Sequence, residues 1–222
     1  MEKIAPTKEW SAALRWNHWL MALVIVALIP TGVYIAAPFT VYPGDTVNKM
    51  FMGEVRFWHI LCGVLLGFLS IWRLYLAFFS RFHADWRDFS ACLNPKDAFR
   101  QACYYAYLSR KAPGNHQLYG PLQAGAYVTL FLMILLILLT GLILMGAGYD
   151  AGLTAFVYML LKPLENWLGG LSTVRWLHHI LMWGFILFIV IHVYMAVWYD
   201  ITFKEGRISS MVSGIMFRQS PD

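Results

Sequence analysis

The chain has 222 residues, 59% of them hydrophobic and only 13% charged, a balance that excludes an ordinary soluble domain. Its net charge of +5 is spread over polar connections and not gathered into a nucleic-acid-binding run, so it points to membrane topology and anionic lipid. The three cysteines, Cys62, Cys92 and Cys103, form no C-x-x-C pair, which speaks against a covalently attached c-type haem and against a zinc or iron–sulfur site made by this chain alone.

The first fifteen residues are polar and basic, and the first apolar run follows at 19–37. Its length fits a spanning helix, which needs about 20 apolar residues. No small-residue cleavage site follows it in "PFTVYPGD", so a retained helix is expected. His18 opens this run, with Arg15 three residues before it. After a short connection rich in Pro and Gly signals, a second span is predicted at 58–79, opened by His59 with Arg56 three residues before. Arg73 is the one formal charge within the four spans, and Gly63 and Gly67 form a G-x-x-x-G that suits either close helix approach or a bulky cofactor.

Residues 80–117 are the most polar part of the chain and include His83, read as a solvated interface residue. Within them "NPKDAFRQACYYAYLSRK" has the pattern of an amphipathic surface helix, with Asn94 as cap and Pro95 in the first turn. "APGNHQLYGPLQ" then leads into a third span at 122–144. Asn115 and His116 there suit hydrogen bonding or proton transfer to a quinone carbonyl, and equally a polar cluster at the start of a helix. The connection 145–175 holds an apolar run too short to span, suited to the membrane interface or to a partner's surface. The fourth span, 177–198, carries three histidines, His178, His179 and His192, before a polar tail with two glycines.

With the N-terminus inside, twelve Lys and Arg fall on the inner side and four, Lys49, Arg56, Lys162 and Arg175, on the outer side. The expected fold is therefore all-α: an integral membrane four-helix bundle, one domain over 1–222, with both termini cytoplasmic. On that topology His59 and His178 share the outer level, and His18 and His192 the inner level.

An ionisable residue in a spanning helix needs a partner that hydrocarbon cannot supply. Paired neutral imidazoles at matching levels suit the axial positions of b-type haems, one in each half of the bilayer. Helical phase selects His178 over His179. At about 100° per residue, a separation of fourteen from His192 returns to within about 40° of the same face, whereas thirteen lands about 140° away. Arg15 and Arg56 suit haem propionates, although snorkelling basic residues give the same pattern. The axial haem ligands expected are thus His18, His59, His178 and His192, with no catalytic side chain. A haem-free anchor or a proton-relay transporter is the reading from another class.

Several stretches also resemble a known family, the b-type cytochrome subunits of membrane-bound nickel–iron hydrogenases, within the wider group that includes the formate dehydrogenase gamma subunit. They are "LRWNHWLMALVIVALIPTGVYI", "VRFWHILCGVLLGFLSIWRLYLAF", "APGNHQLYGPLQAGAYVTLF" with "LLTGLIL", and "WLHHILMWGFILFIVIHVYMAVWYDITFKEGRISSMVSGIMF". "ISSMVSG" is the part most particular to the hydrogenase branch. The resemblance implies two haems b on the same four histidines, a hydrogenase with small iron–sulfur and large subunits on the periplasmic side, and quinone as acceptor. It further implies the inner membrane of a bacterium. A formate dehydrogenase or a sulfur-compound oxidoreductase is the alternative donor. Where the family reads closer to "G-H-N-P-L", this chain has "GNHQLYGPLQ", so the quinone residues align less well than the haem residues.

Overall fold

A computed structural model describes residues 4–38, 50–79, 95–105, 108–109, 121–149 and 151–219. The elements run β1 (Ile4–Lys8), α1 (Ala12–Ala36), α2 (Phe51–Phe79), α3 (Pro95–Tyr105), α4 (Pro121–Gly146), α5 (Gly152–Trp167), α6 (Leu171–Phe203), α7 (Arg207–Ser213) and β2 (Ile215–Gln219). Among the described residues four helices, α1, α2, α4 and α6, are long and apolar enough to cross a membrane, as a four-helix membrane bundle requires. Large apolar side chains such as Leu23, Phe68, Leu136 and Leu187 turn outward on them. In lipid this costs nothing, because acyl chains are as apolar as leucine.

The helices outrun their apolar spans, because hydrogen bonding between successive turns continues through flanking polar residues. With 33 residues, α6 is about 50 Å long, well beyond the roughly 30 Å hydrocarbon layer. It ends where Lys204 adopts φ 53° and Gly206 φ 70°. The amphipathic connection forms α3 from Pro95, which fits proline's preference for a first turn.

The chain divides into two compact units, one made of Met1–Asn17, Trp72–Leu132 and Ile191–Asp222, the other of His18–Ile71 and Met133–Val190. In the first unit, Leu14, Leu76 and Ala124 form a buried apolar cluster, with Trp10, Ala13, Trp72 and Tyr127 packed on it. The buried Gln101 of α3 accepts a hydrogen bond from Leu122 N at 3.0 Å, satisfying one open amide at the start of α4.

The two ends of the chain meet in this unit. β1 and β2 pair antiparallel, from Ile4 opposite Gln219 to Lys8 opposite Ile215. Glu9 N and Trp10 N both donate to Gly214 O, at 2.9 and 3.3 Å. Gly214 has φ 84°, and a Cβ there would sit 2.9 Å from Trp10 O, so only glycine fits both the turn and the approach. Arg207 stacks on the Tyr199 ring with its guanidinium carbon 3.6 Å from the centroid, and its Nη2 donates to the Tyr199 hydroxyl at 2.9 Å, tying α7 to the end of α6.

In the second unit α5 packs on the end of α4 so closely that a Cβ on Gly146 would lie 2.5 Å from Tyr158 Cβ. Lys162 donates to both carboxylate oxygens of the buried Glu165, at 2.9 and 3.0 Å, and to the Tyr158 hydroxyl at 2.8 Å. That hydroxyl in turn donates to Glu165 Oε2 at 2.6 Å. Two glycines with positive φ, Gly169 and Gly170, then turn the chain into α6.

Candidate functional site

All four spans contribute to one polar cluster within the second unit. α2 supplies His59 and α6 supplies His178, whose ring centroids stand 6.3 Å apart with planes inclined at 68°. α1 supplies Thr31, with Oγ1 2.9 Å from His59 Nδ1, and α4 supplies Thr140, with Oγ1 2.9 Å from His178 Nδ1. Each threonine is followed by a glycine lying against the same ring. A Cβ on Gly32 would meet His59 Cε1 at 3.2 Å, and one on Gly141 would meet His178 Cε1 at 3.4 Å.

The threonines are also tied to their own helices. Thr31 Oγ1 lies 2.9 Å from Ala27 O and 3.0 Å from Leu28 O, and Thr140 Oγ1 lies 2.8 Å from Leu136 O and 3.1 Å from Ile137 O. A hydroxyl in a membrane helix satisfies itself in this way. Here it also reaches a side chain of a neighbouring helix.

With Nδ1 of each ring engaged by a threonine, Nε2 is the nitrogen left to bind a metal. Two imidazoles that held one metal ion between them through Nε2, at about 2 Å each, would have ring centroids about 6 Å apart. The observed 6.3 Å fits that span. Among the described residues no third histidine, cysteine or carboxylate joins the pair. A macrocycle with four nitrogens of its own needs no more than two protein ligands.

The other residues singled out from the sequence are placed as follows. His18, half-buried on α1 in the second unit, lies edge-on to Trp19 with centroids 5.3 Å apart. His192 belongs to α6 in the first unit. His179 is exposed and accepts a hydrogen bond from Trp183 Nε1 at 3.3 Å. Arg15 donates through Nη1 to Val212 O at the end of α7, and Arg56 is exposed near the start of α2. Among the described residues a Cβ on Gly63 would meet nothing within 4 Å, and one on Gly67 only Leu138 Cδ2 at 3.9 Å, so neither glycine marks a tight helix crossing there. His83, Cys92, Asn94, Asn115 and His116 lie outside the described residues.

Thr31, Gly32, Thr140 and Gly141 are site residues that the histidine count did not raise. Their sequence signal is a Thr-Gly pair in "IPTGVY" and again in "LLTGLIL".

Four helices long and apolar enough to cross a membrane, with imidazoles of two of them 6.3 Å apart, fit a membrane cytochrome of the b type. The chain belongs to the prokaryotic cytochrome b561 family, which matches residues 9–214. It is 31% identical over 209 residues to the probable Ni/Fe-hydrogenase B-type cytochrome subunit of Rhizobium leguminosarum bv. viciae, covering 92% of this chain and 86% of that one. The same name is carried by a relative in Azotobacter chroococcum mcd 1, 32% identical over 217 residues with the same coverage. A probable Ni/Fe-hydrogenase 1 B-type cytochrome subunit of Escherichia coli (strain K12) is 28% identical over 216 residues, covering 95% of this chain and 87% of that one. This is a multi-pass membrane protein, and an inner-membrane location is consistent with these bacterial relatives.

Proposed function

We propose that this chain is the di-haem b subunit that anchors a periplasmic nickel–iron hydrogenase in the membrane and passes electrons from its iron–sulfur subunit to quinone. The observation that carries the reading is the facing pair His59 and His178, in a chain similar over nearly its whole length to hydrogenase cytochrome subunits. A haem b held there would supply reversible one-electron chemistry at its iron. The protein's part is to hold two neutral imidazoles in line, to keep the surroundings apolar, and to fix the approach of donor and acceptor.

His59 and His178 form the outer axial pair, and His18 and His192 form the inner one. The inner pairing is supported by sequence spacing, since fourteen residues separate His178 from His192, about 21 Å along the helix, and repeat nearly the same face. The cytoplasmic placement of both termini is supported by the distribution of Lys and Arg. Arg56, exposed three residues before His59, is assigned to a propionate at the outer face. Arg15 is assigned the same role at the inner face, with the guanidinium nitrogens not engaged by Val212 O. Asn115 and His116, just before the third span, are assigned to quinone, with proton uptake on the cytoplasmic side.

The hydrogenase small subunit docks on the outer connections around 38–56 and 146–175. In α5, Leu153, Phe156, Leu160 and Trp167 are exposed at helical spacing and give that surface an apolar stripe.

The test is an optical difference spectrum of native membranes, reduced by hydrogen against oxidised and scaled to the dithionite-reduced total. Hydrogen should reduce a b-type band that disappears when this chain is deleted. A band from this chain that dithionite reveals but hydrogen leaves oxidised, with active hydrogenase present, would assign the cytochrome to another donor.

A further inference from the structure

Thr31 and Thr140 stand in the same relation to two imidazoles from different helices, and a count of hydrogens gives that relation a meaning. A threonine hydroxyl has one hydrogen to donate and lone pairs to accept. Backbone carbonyls only accept, and each hydroxyl lies within 3.1 Å of two of them in the preceding turn. The hydroxyl hydrogen is therefore directed at its own helix. The contact of 2.9 Å between each Oγ1 and Nδ1 still needs a hydrogen, and the imidazole supplies it. A bare nitrogen lone pair facing the hydroxyl oxygen would be repelled.

Nδ1 thus carries the proton and Nε2 keeps its lone pair, the form a neutral imidazole must take to bind a metal through Nε2. The opposite arrangement, with the hydroxyl donating to Nδ1, would put a hydrogen on Nε2 and close it to a metal. Gly32 and Gly141 complete the device. A Cβ at Gly32, 3.2 Å from His59 Cε1, would press on the ring edge beside the threonine that holds it, and one at Gly141, 3.4 Å from His178 Cε1, would just reach contact with its ring.

We propose that Thr31 and Thr140 are positioning residues that lock His59 and His178 as Nδ1–H tautomers with Nε2 free for haem iron, and that the glycine after each threonine leaves room for the ring to reach it. This deepens the haem assignment above and rests on it. A hydrogen bond from Nδ1–H raises the basicity of the ligand and so favours the oxidised metal. Losing the acceptor should therefore raise the midpoint potential of the haem on this pair.

The experiment compares Thr31→Val and Thr140→Val with Thr31→Ser and Thr140→Ser in the full chain within its membrane complex. Potentiometric titration of the b-type band and low-temperature electron paramagnetic resonance of the oxidised haems provide the readouts. Each valine variant should shift one haem to higher potential and alter its resonance signature, the other haem should stay as in the parent, and the serine variants should match the parent. Loss of one haem from a valine variant but not from the matching serine variant supports the same role. Valine variants that titrate as the parent, or serine variants that change as much as valine, would overturn the proposal while leaving the haem assignment standing. A parent protein with no haem would overturn that assignment, and the proposal with it.

Discussion

Trp10 and Ser210, 200 positions apart, are joined by a hydrogen bond of 3.1 Å from the indole Nε1 to the serine hydroxyl oxygen. Ser210 is 1% exposed and passes its own hydrogen to Arg207 O at 2.6 Å, so its hydroxyl links the start of the chain to the tail helix. Ser210→Ala removes this acceptor from the half-buried indole N–H, and a lost hydrogen bond costs about 1 kcal/mol. The variant should melt earlier in detergent and release its tail sooner in limited proteolysis, with an unchanged haem spectrum. Trp10→Phe added to Ser210→Ala should cost less than the sum of the two single changes.

A second prediction concerns pH and helix α5. Tyr158 first, and then Lys162, hold the Glu165 carboxyl below its ordinary value of 4.5. Hydrogen bonds to Tyr158 first, and then to Glu165, hold the Lys162 ammonium above its ordinary value of 10.5. A depressed carboxyl contributes stability above its unfolded value and loses it as pH falls through the folded one. A raised ammonium contributes below its unfolded value and loses it as pH rises through the folded one. Thermal melts of the parent and of Glu165→Gln should therefore differ most between these limits and converge in acid. A constant difference down to the acid end would assign the contribution to packing.

The two glycines of the histidine cluster should respond unequally. A methyl at Gly32 would sit 3.2 Å from His59 Cε1, closer than ordinary contact, whereas one at Gly141 would sit 3.4 Å from His178 Cε1, at its edge. Gly32→Ala should displace the His59 ring and weaken haem retention on dilution in detergent, and Gly141→Ala should retain haem nearly as the parent does. Equal retention in the two variants would show that the His59 ring yields without consequence.

Much of the fold is legible because lipid imposes a simple code. A spanning backbone must bond to itself, so runs of apolar residues mark the helices, and histidine positions within those runs give depth. Depth put His59 and His178 at one level, and helical phase chose His178 over His179 as the inward residue. In the structure His178 is the ring facing His59, while His179 is exposed beside Trp183. The ribbon of Ile4–Lys8 with Ile215–Gln219 left no comparable trace, because two short strands at opposite ends of the chain lack the turn that announces a hairpin. The threonines were hidden for another reason. A threonine in a membrane helix normally bonds the carbonyl of the preceding turn, and Thr31 and Thr140 do that too. Their contact with the imidazoles depends on which helix faces meet, which single-helix periodicity does not carry.

Haem content per chain in purified His59→Ala, His178→Ala and His179→Ala variants, measured as the alkaline pyridine complex, bears most directly on the facing histidine pair. The parent should hold two haems b, His59→Ala and His178→Ala one each, and His179→Ala two. A His178→Ala variant with the parent's full haem content, or a His179→Ala variant that loses a haem, would contradict the assignment of His59 and His178 as an axial pair.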